Sequence, residues 1–118
     1  LLVRDVPSQV AGLEAVFGMT AHQPTRDFAI MTYGRQVFQL HSDGTYNSHP
    51  LLGLLPETPP RGAGIELRLY DTDPDDATAR AEAHGMTILA PPRDKPHGLR
   101  EAYILCENGY VWVPSRAK

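Results

Sequence analysis

Apolar positions along the chain follow two rhythms that alternate twice. Leu1-Leu2-Val3 is a short apolar run of strand type. Val10, Leu13, Val16 and Phe17 then recur at three-to-four spacing, which predicts an amphipathic helix over about 8–17, with Ser8 available as N-cap. Gly18 stands where a helix C-terminus takes a left-handed residue. Phe28 to Thr32 and Val37 to Leu40 read as strands joined by a turn at Tyr33-Gly34. The rhythm then restarts. Ile65 to Tyr70 alternates apolar and polar residues, and Asp75-Asp76 open a second helix that continues from Ala77 to His84 and stops at Gly85. Ala102 to Leu105 and Tyr110 to Val113 flank Glu107-Asn108-Gly109, and Asn-Gly between apolar runs predicts a hairpin.

These two passages are one unit repeated. Pro7 precedes Gly18-Met19-Thr20 by the same eleven residues that separate Pro74 from Gly85-Met86-Thr87. Flanking strands and helices agree as well, so the match extends beyond the shared triplets. Each half reads as strand, helix and about three strands, with a shorter second strand beginning near Met19 and Met86. Helices set apart from antiparallel hairpins make the class α+β. Two tandem βαβββ modules result, at about 1–45 and 64–118. The connector 46–63 carries Pro50, Pro56, Pro59 and Pro60. A long connection without periodicity is either a plain linker or a functional or interface segment.

Composition narrows the function. With 118 residues, 42% of them hydrophobic and 21% charged, the chain matches an ordinary globular domain. A net charge of −3 with scattered basic residues leaves no footprint for nucleic acid. The run Leu51 to Leu55, interrupted by Gly53, is far too short to span a bilayer. The single Cys106 reads as a small buried hydrophobe, and the visible sequence carries no signal peptide. A lone cysteine suits a reducing compartment, and the expected setting is cytoplasmic.

Leu2-Val3-Arg4-Asp5-Val6-Pro7, Tyr70-Asp71-Thr72-Asp73-Pro74 to Gly85, Gly98-Leu99-Arg100-Glu101 and Glu107-Asn108-Gly109-Tyr110, in this order and duplicated, resemble the vicinal-oxygen-chelate superfamily. Its members include glyoxalases, extradiol dioxygenases and the fosfomycin- and bleomycin-resistance proteins. The last segment departs from the superfamily's Asp-Pro-x-Gly turn, with Cys106-Glu107 in place of Asp-Pro. The resemblance implies βαβββ sheets curved around a shared pocket and, in many members, a divalent metal held by the first and last strands of the modules. Carried over by position, the ligand sites fall on Glu66 and Val113 in the second module. In the first module they fall on a place before Leu1 and on Phe38 or, with a one-residue slip, Gln39. A divalent cation needs several oxygen or nitrogen donors within about 2.0–2.6 Å. One carboxylate facing Val113 and Phe38 does not supply them, so the expected cofactor is none. The alternative is one divalent metal on Glu66 and a histidine from upstream or from the connector.

Strand alternation puts Glu66, Arg68 and Tyr70 on one face of the 65–70 strand and Ile65, Leu67 and Leu69 on the other. The apolar face is expected under the helices. The polar face either pairs with itself in solvent or lines the ligand pocket, where Arg68 offers a planar donor fork and Tyr70 a stacking face. Val113 is expected to face the pocket, with Tyr110 and Trp112 in a core or an interface. His97 and Arg100, in the loop entering a strand, complete the candidate set; His97 there could act as a general base, and His41 and His49 have the same standing. Asp71, Asp73, Asp75 and Asp76 lack calcium-loop spacing and fit a helix N-terminus instead.

Three functions follow as expectations. The first is a small-molecule binding protein of the resistance type without a complete metal site. The second is a metal-dependent lyase, isomerase or dioxygenase with atypical ligands. The third is a partner-binding domain that uses Leu51 to Leu55. A homodimer is expected because apolar residues in the connector, with Tyr110 and Trp112, need a cover.

Overall fold

The structure is a computed structural model that describes residues 1–46, 49–56 and 60–118. Of the connector, residues 47–48 and 57–59, Pro59 among them, lie outside the described residues. The chain divides into two compact units, Leu1–Glu57 and Thr58–Lys118.

The first unit runs β1 (Leu2–Val3), α1 (Val6–Phe17), β2 (Thr20–His22), β3 (Phe28–Tyr33) and β4 (Gln36–Ser42). The second repeats the series as β5 (Glu66–Leu69), α2 (Pro74–His84), β6 (Thr87–Asp94), β7 (Leu99–Leu105) and β8 (Val111–Ala117). Each unit forms a four-stranded mixed sheet, in the orders β1-β4-β3-β2 and β5-β8-β7-β6. In each, the opening strand runs parallel to the last strand and the hairpins are antiparallel. The expected duplicated α+β fold is present. A 3-10 turn at Asp43–Tyr46 leads into the connector, and a second, Leu52–Leu54, lies within it.

Both helices begin on an aspartate. The Asp5 carboxylate accepts the Ser8 amide at 3.1 Å, so Asp5 is the cap and Ser8 lies within the first turn, against expectation. Asp73 accepts the amides of Asp75 and Asp76 at 3.0 and 3.4 Å. Both helices end on glycine, Gly18 at φ 70° and Gly85 at φ 89°, values that a Cβ would strain. The helices feed their cores differently. α1 buries Val6, Val10, Leu13, Val16 and Phe17, and Ala29, Met31 and Leu40 of its sheet are fully buried. α2 buries only Pro74, Ala77, Thr78 and Ala81, so bulk comes from the sheet, through Ile104 and Trp112.

Of the two places expected for Tyr110 and Trp112, core or interface, the core is the one found, at 6% and 2% exposure, so they add no surface for a partner. Other expectations fail locally. Ile65 is 54% exposed, not packed under the helix. Its amide closes a turn onto Gly62 O, which keeps it out of the strand's alternation. The second strand of module 2, β6, is not short but spans 8 residues. It holds Pro91 and Pro92 because it is a sheet edge with register shifts, where missing N–H groups break no ladder.

The β7–β8 hairpin also serves as a seat. Arg61 and Gly62 donate their amides to Asn108 O and Gly109 O, each at 3.1 Å. A Cβ on Gly109, whose φ is +81°, would stand 2.3 Å from Pro60 Cα. The Asn-Gly turn therefore both closes the hairpin and receives the segment that leads to β5. Among the described residues, no helix is long and apolar enough to cross a membrane.

Candidate functional site

One face of the module-2 sheet packs on α2, and on the opposite face polar side chains converge. Sheet register decides who meets whom. β8 lies between β5 and β7, with Arg68 beside Val113 and Glu101 beside Ser115. Arg68 reaches across β8 and donates through Nη2 to Glu101 Oε2. Val113 and Ser115 point to the same side and are fully buried. The other Arg68 terminal nitrogen donates to Glu66 Oε2 at 3.1 Å. The Tyr103 hydroxyl donates to Glu101 Oε1 at 2.9 Å. The His97 ring nitrogen stands 3.7 Å from the same oxygen. Tyr70, just past β5, sets its ring 5.9 Å from the Arg68 guanidinium, and Lys95 Nζ lies 5.4 Å from the Tyr103 ring.

Glu101 is the anchor, because its side chain is only 2% exposed. Burial pushes its carboxyl up, but the bonds from Arg68 and Tyr103 outweigh burial and hold it below the usual carboxylate value. The same bond raises the Tyr103 phenol, with burial adding to the effect. Burial alone would lower Arg68, but Glu101 and Glu66 turn the balance and raise it. The buried carboxylate is thus ionised, paired and saturated, as a buried charge must be. Glu66, half-exposed, remains at the edge of the network. Beside it lies a groove of about 610 Å³ walled by Ile65, Glu66, Leu89, Ala90, Tyr103 and Val111.

The candidate residues fall in three places. Glu66, Arg68, Tyr70, Val113 and His97 gather on or beside this network. Arg100 does not: it is a β7 residue on the α2 side, where it donates to Asp75 at 2.7 and 2.9 Å and to Asp94 at 3.2 Å. Those bonds raise its guanidinium and lower the Asp75 carboxyl. Phe38 lies in module 1, on the β4 face shared with the buried Leu40, and pairs with buried Met31. Gln39 and His41 hold the opposite face. There Phe28, His41, Tyr46 and His49 form a row with ring centroids 5.0, 5.3 and 4.8 Å apart.

Glu101 and Tyr103 were not among the candidates. Alternation along Leu99 to Leu105 does put them on one face, away from Ala102 and Ile104. What the string of residues does not reveal is that this face meets Arg68, 33 residues earlier.

No protein-family profile matches the chain, and no curated protein matches it either. Solved structures do. A glyoxalase/bleomycin resistance protein/dioxygenase family enzyme from Burkholderia phytofirmans PsJN superposes with TM-score 0.83 at 19% identity, over 100% of this chain and 94% of that one. TioX from Micromonospora sp. ML1 gives 0.72 at 25% identity, over 100% and 94%. The fosfomycin resistance protein FosX from Mesorhizobium loti gives 0.70 at 16%, over 99% and 86%.

The chain has the vicinal-oxygen-chelate fold.

The resemblance carries a divalent-metal position onto the first and last strands of module 2, at Glu66 and Val113. Glu66 is a carboxylate, but Val113 offers no donor. Among the described residues, no three His, Cys, Asp or Glu side chains converge. The Arg68 guanidinium stands at this place, bonded to both Glu66 and Glu101. A dication placed there would meet that fixed positive charge at close range.

Proposed function

We propose that the chain is a small-molecule binding protein of the glyoxalase/bleomycin-resistance type, with its ligand in the groove beside Glu66 and Tyr103 and with no metal. The observation that carries this reading is the buried Glu101 carboxylate held between Arg68 and Tyr103 at the edge of a largely apolar groove. Saturated polar groups beneath apolar walls resemble the few fixed polar anchors of a small-molecule site. Arg68 already occupies the space between Glu66 and Glu101, donating to both carboxylates. The scattered basic residues favour a small molecule over nucleic acid, and the lone buried Cys106 suits a cytoplasmic setting.

Backbone amide spectra recorded with a fragment library test the site. Shifts clustered on 64–66, 89–90, 103 and 111 support it, and shifts confined to module 1 refute it. Zinc, manganese, nickel and iron(II) should each fail to bind stoichiometrically. One tight equivalent lost on Glu66→Gln would instead establish a metal-dependent member.

The working unit in this reading is a homodimer. Leu51 and Leu54 are 41% and 80% exposed in the connector, apolar area that a two-fold partner would cover. Light scattering that gives a mass near 13.0 kDa would rule the dimer out.

A further inference from the structure

The proposed ligand site also carries information about its ligand's charge. Of the residues that wall the groove, Ile65, Leu89, Ala90 and Val111 are apolar, Tyr103 presents a ring, and Glu66 alone is charged. The hydroxyl of Tyr103 is committed to Glu101. Both Glu101 oxygens are engaged, one by Arg68 and one by Tyr103. Glu66 differs. Its Oε2 accepts from Arg68 at 3.1 Å, and it shares that guanidinium with the better-buried Glu101. Two carboxylates thus divide one guanidinium, and the one facing the groove has the smaller share. The other nearby cation, Lys95, stands over the Tyr103 ring.

From this arrangement, and resting on the proposed function above, we infer that the groove takes an ammonium-type cation with an apolar body, and that Glu66 is its counter-ion. A carboxylate flanked by low-dielectric walls attracts a cation more strongly than the same group in water does. The walls reward an aliphatic or aromatic body through burial. An anionic ligand would meet Glu66 at close range, while a neutral one would gain only the burial.

Three probes of equal length separate these cases: hexylamine, protonated at neutral pH, hexan-1-ol and hexanoate. Each is titrated into the full chain while the amide resonances of residues 64–66, 89–90 and 111 are followed. The inference expects hexylamine to bind at least tenfold more tightly than hexan-1-ol and hexanoate to bind least. Glu66→Gln should bring hexylamine down to the level of hexan-1-ol, and Glu66→Asp should restore part of the difference. Glu66 is half-exposed at a strand start, so both variants should keep the wild-type spectrum elsewhere. Raising sodium chloride from 0.05 to about 0.5 M should weaken hexylamine and leave hexan-1-ol unchanged, because only the charge term is screened. Equal binding of hexan-1-ol and hexylamine at these residues, or tighter binding of hexanoate, overturns the charge inference and leaves the site standing. No response at these residues to any probe overturns the site and the inference together.

Discussion

The two modules share a topology and differ in what they place opposite the helix. In module 1 that face carries rings and hydroxyls. His22 Nε2 lies 2.9 Å from Thr32 Oγ1, His41 Nε2 lies 3.2 Å from Gln39 Oε1, and the row from Phe28 to His49 is joined ring to ring. In module 2 the corresponding face carries an ionic network through Glu66, Arg68 and Glu101. The helix side differs too, since α1 brings large side chains and α2 brings alanines. What stays the same is an aspartate cap, a proline in the first turn, a terminal glycine and the strand order. Backbone geometry constrains these features in both copies. The helix-free face answers to no such constraint, so a duplicated fold can specialise there without moving a strand.

The largest expected effect breaks the contrast in how the cores are filled. Leu13→Ala should lower unfolding free energy by about 3–4 kcal/mol in a urea titration, because it empties a site packed from all sides. If the loss is below 1 kcal/mol (roughly the low end for any core truncation), α1 does not supply module 1 with its bulk.

Next comes the network itself. Arg68→Met should cost about 3 kcal/mol, the low end of the range for breaking a buried pair, because Tyr103 still holds Glu101. Differential scanning calorimetry checks it, and Arg68→Met with Glu101→Met together should recover most of the loss.

Acid sharpens the same point. Glu101 titrates below its ordinary value, so its bridge contributes fully above the pKa of the unfolded carboxyl, about 4.5, and loses that contribution as pH falls through the lower folded value. The stability difference between wild type and Glu101→Gln should therefore hold from neutral pH to about 5 and shrink below it. A difference that grows on acidification would mean the carboxyl is neutral when buried.

The smallest effect is expected on the other side of the same sheet. Arg100→Ala removes bonds to Asp75 and Asp94 that are open to solvent, so its urea midpoint should move less than that of any variant above. A larger shift than Arg68→Met would mean that the two arginines have been weighed in the wrong order.

Local rules account for what was legible in advance. Three-to-four spacing in α1, alternation in β5 and Asn-Gly before β8 are decided by neighbours within a few residues, so the order of elements, the duplication and the α+β class could be read directly. The shared face of Glu66 and Arg68 follows from alternation as well, and Val113, expected at the pocket, lies fully buried beside Arg68. Phe38 shows the limit: one residue of register separates the helix side from the open side, and the residues alone left that slip undecided. The cap on α1 passed from Ser8 to Asp5 because the helix starts three residues earlier, nearly one turn. Only the assembled sheet could bring Glu101 to Arg68, because a strand's sequence states which residues share its face and not which strand lies alongside. Ile65, similarly, left the alternation because a turn onto Gly62 holds it, and the Asn108-Gly109 turn became a seat for 60–62 through contacts far apart in sequence. Sequence determined the elements because their causes are local; tertiary structure decided the site because charge pairing across strands is not.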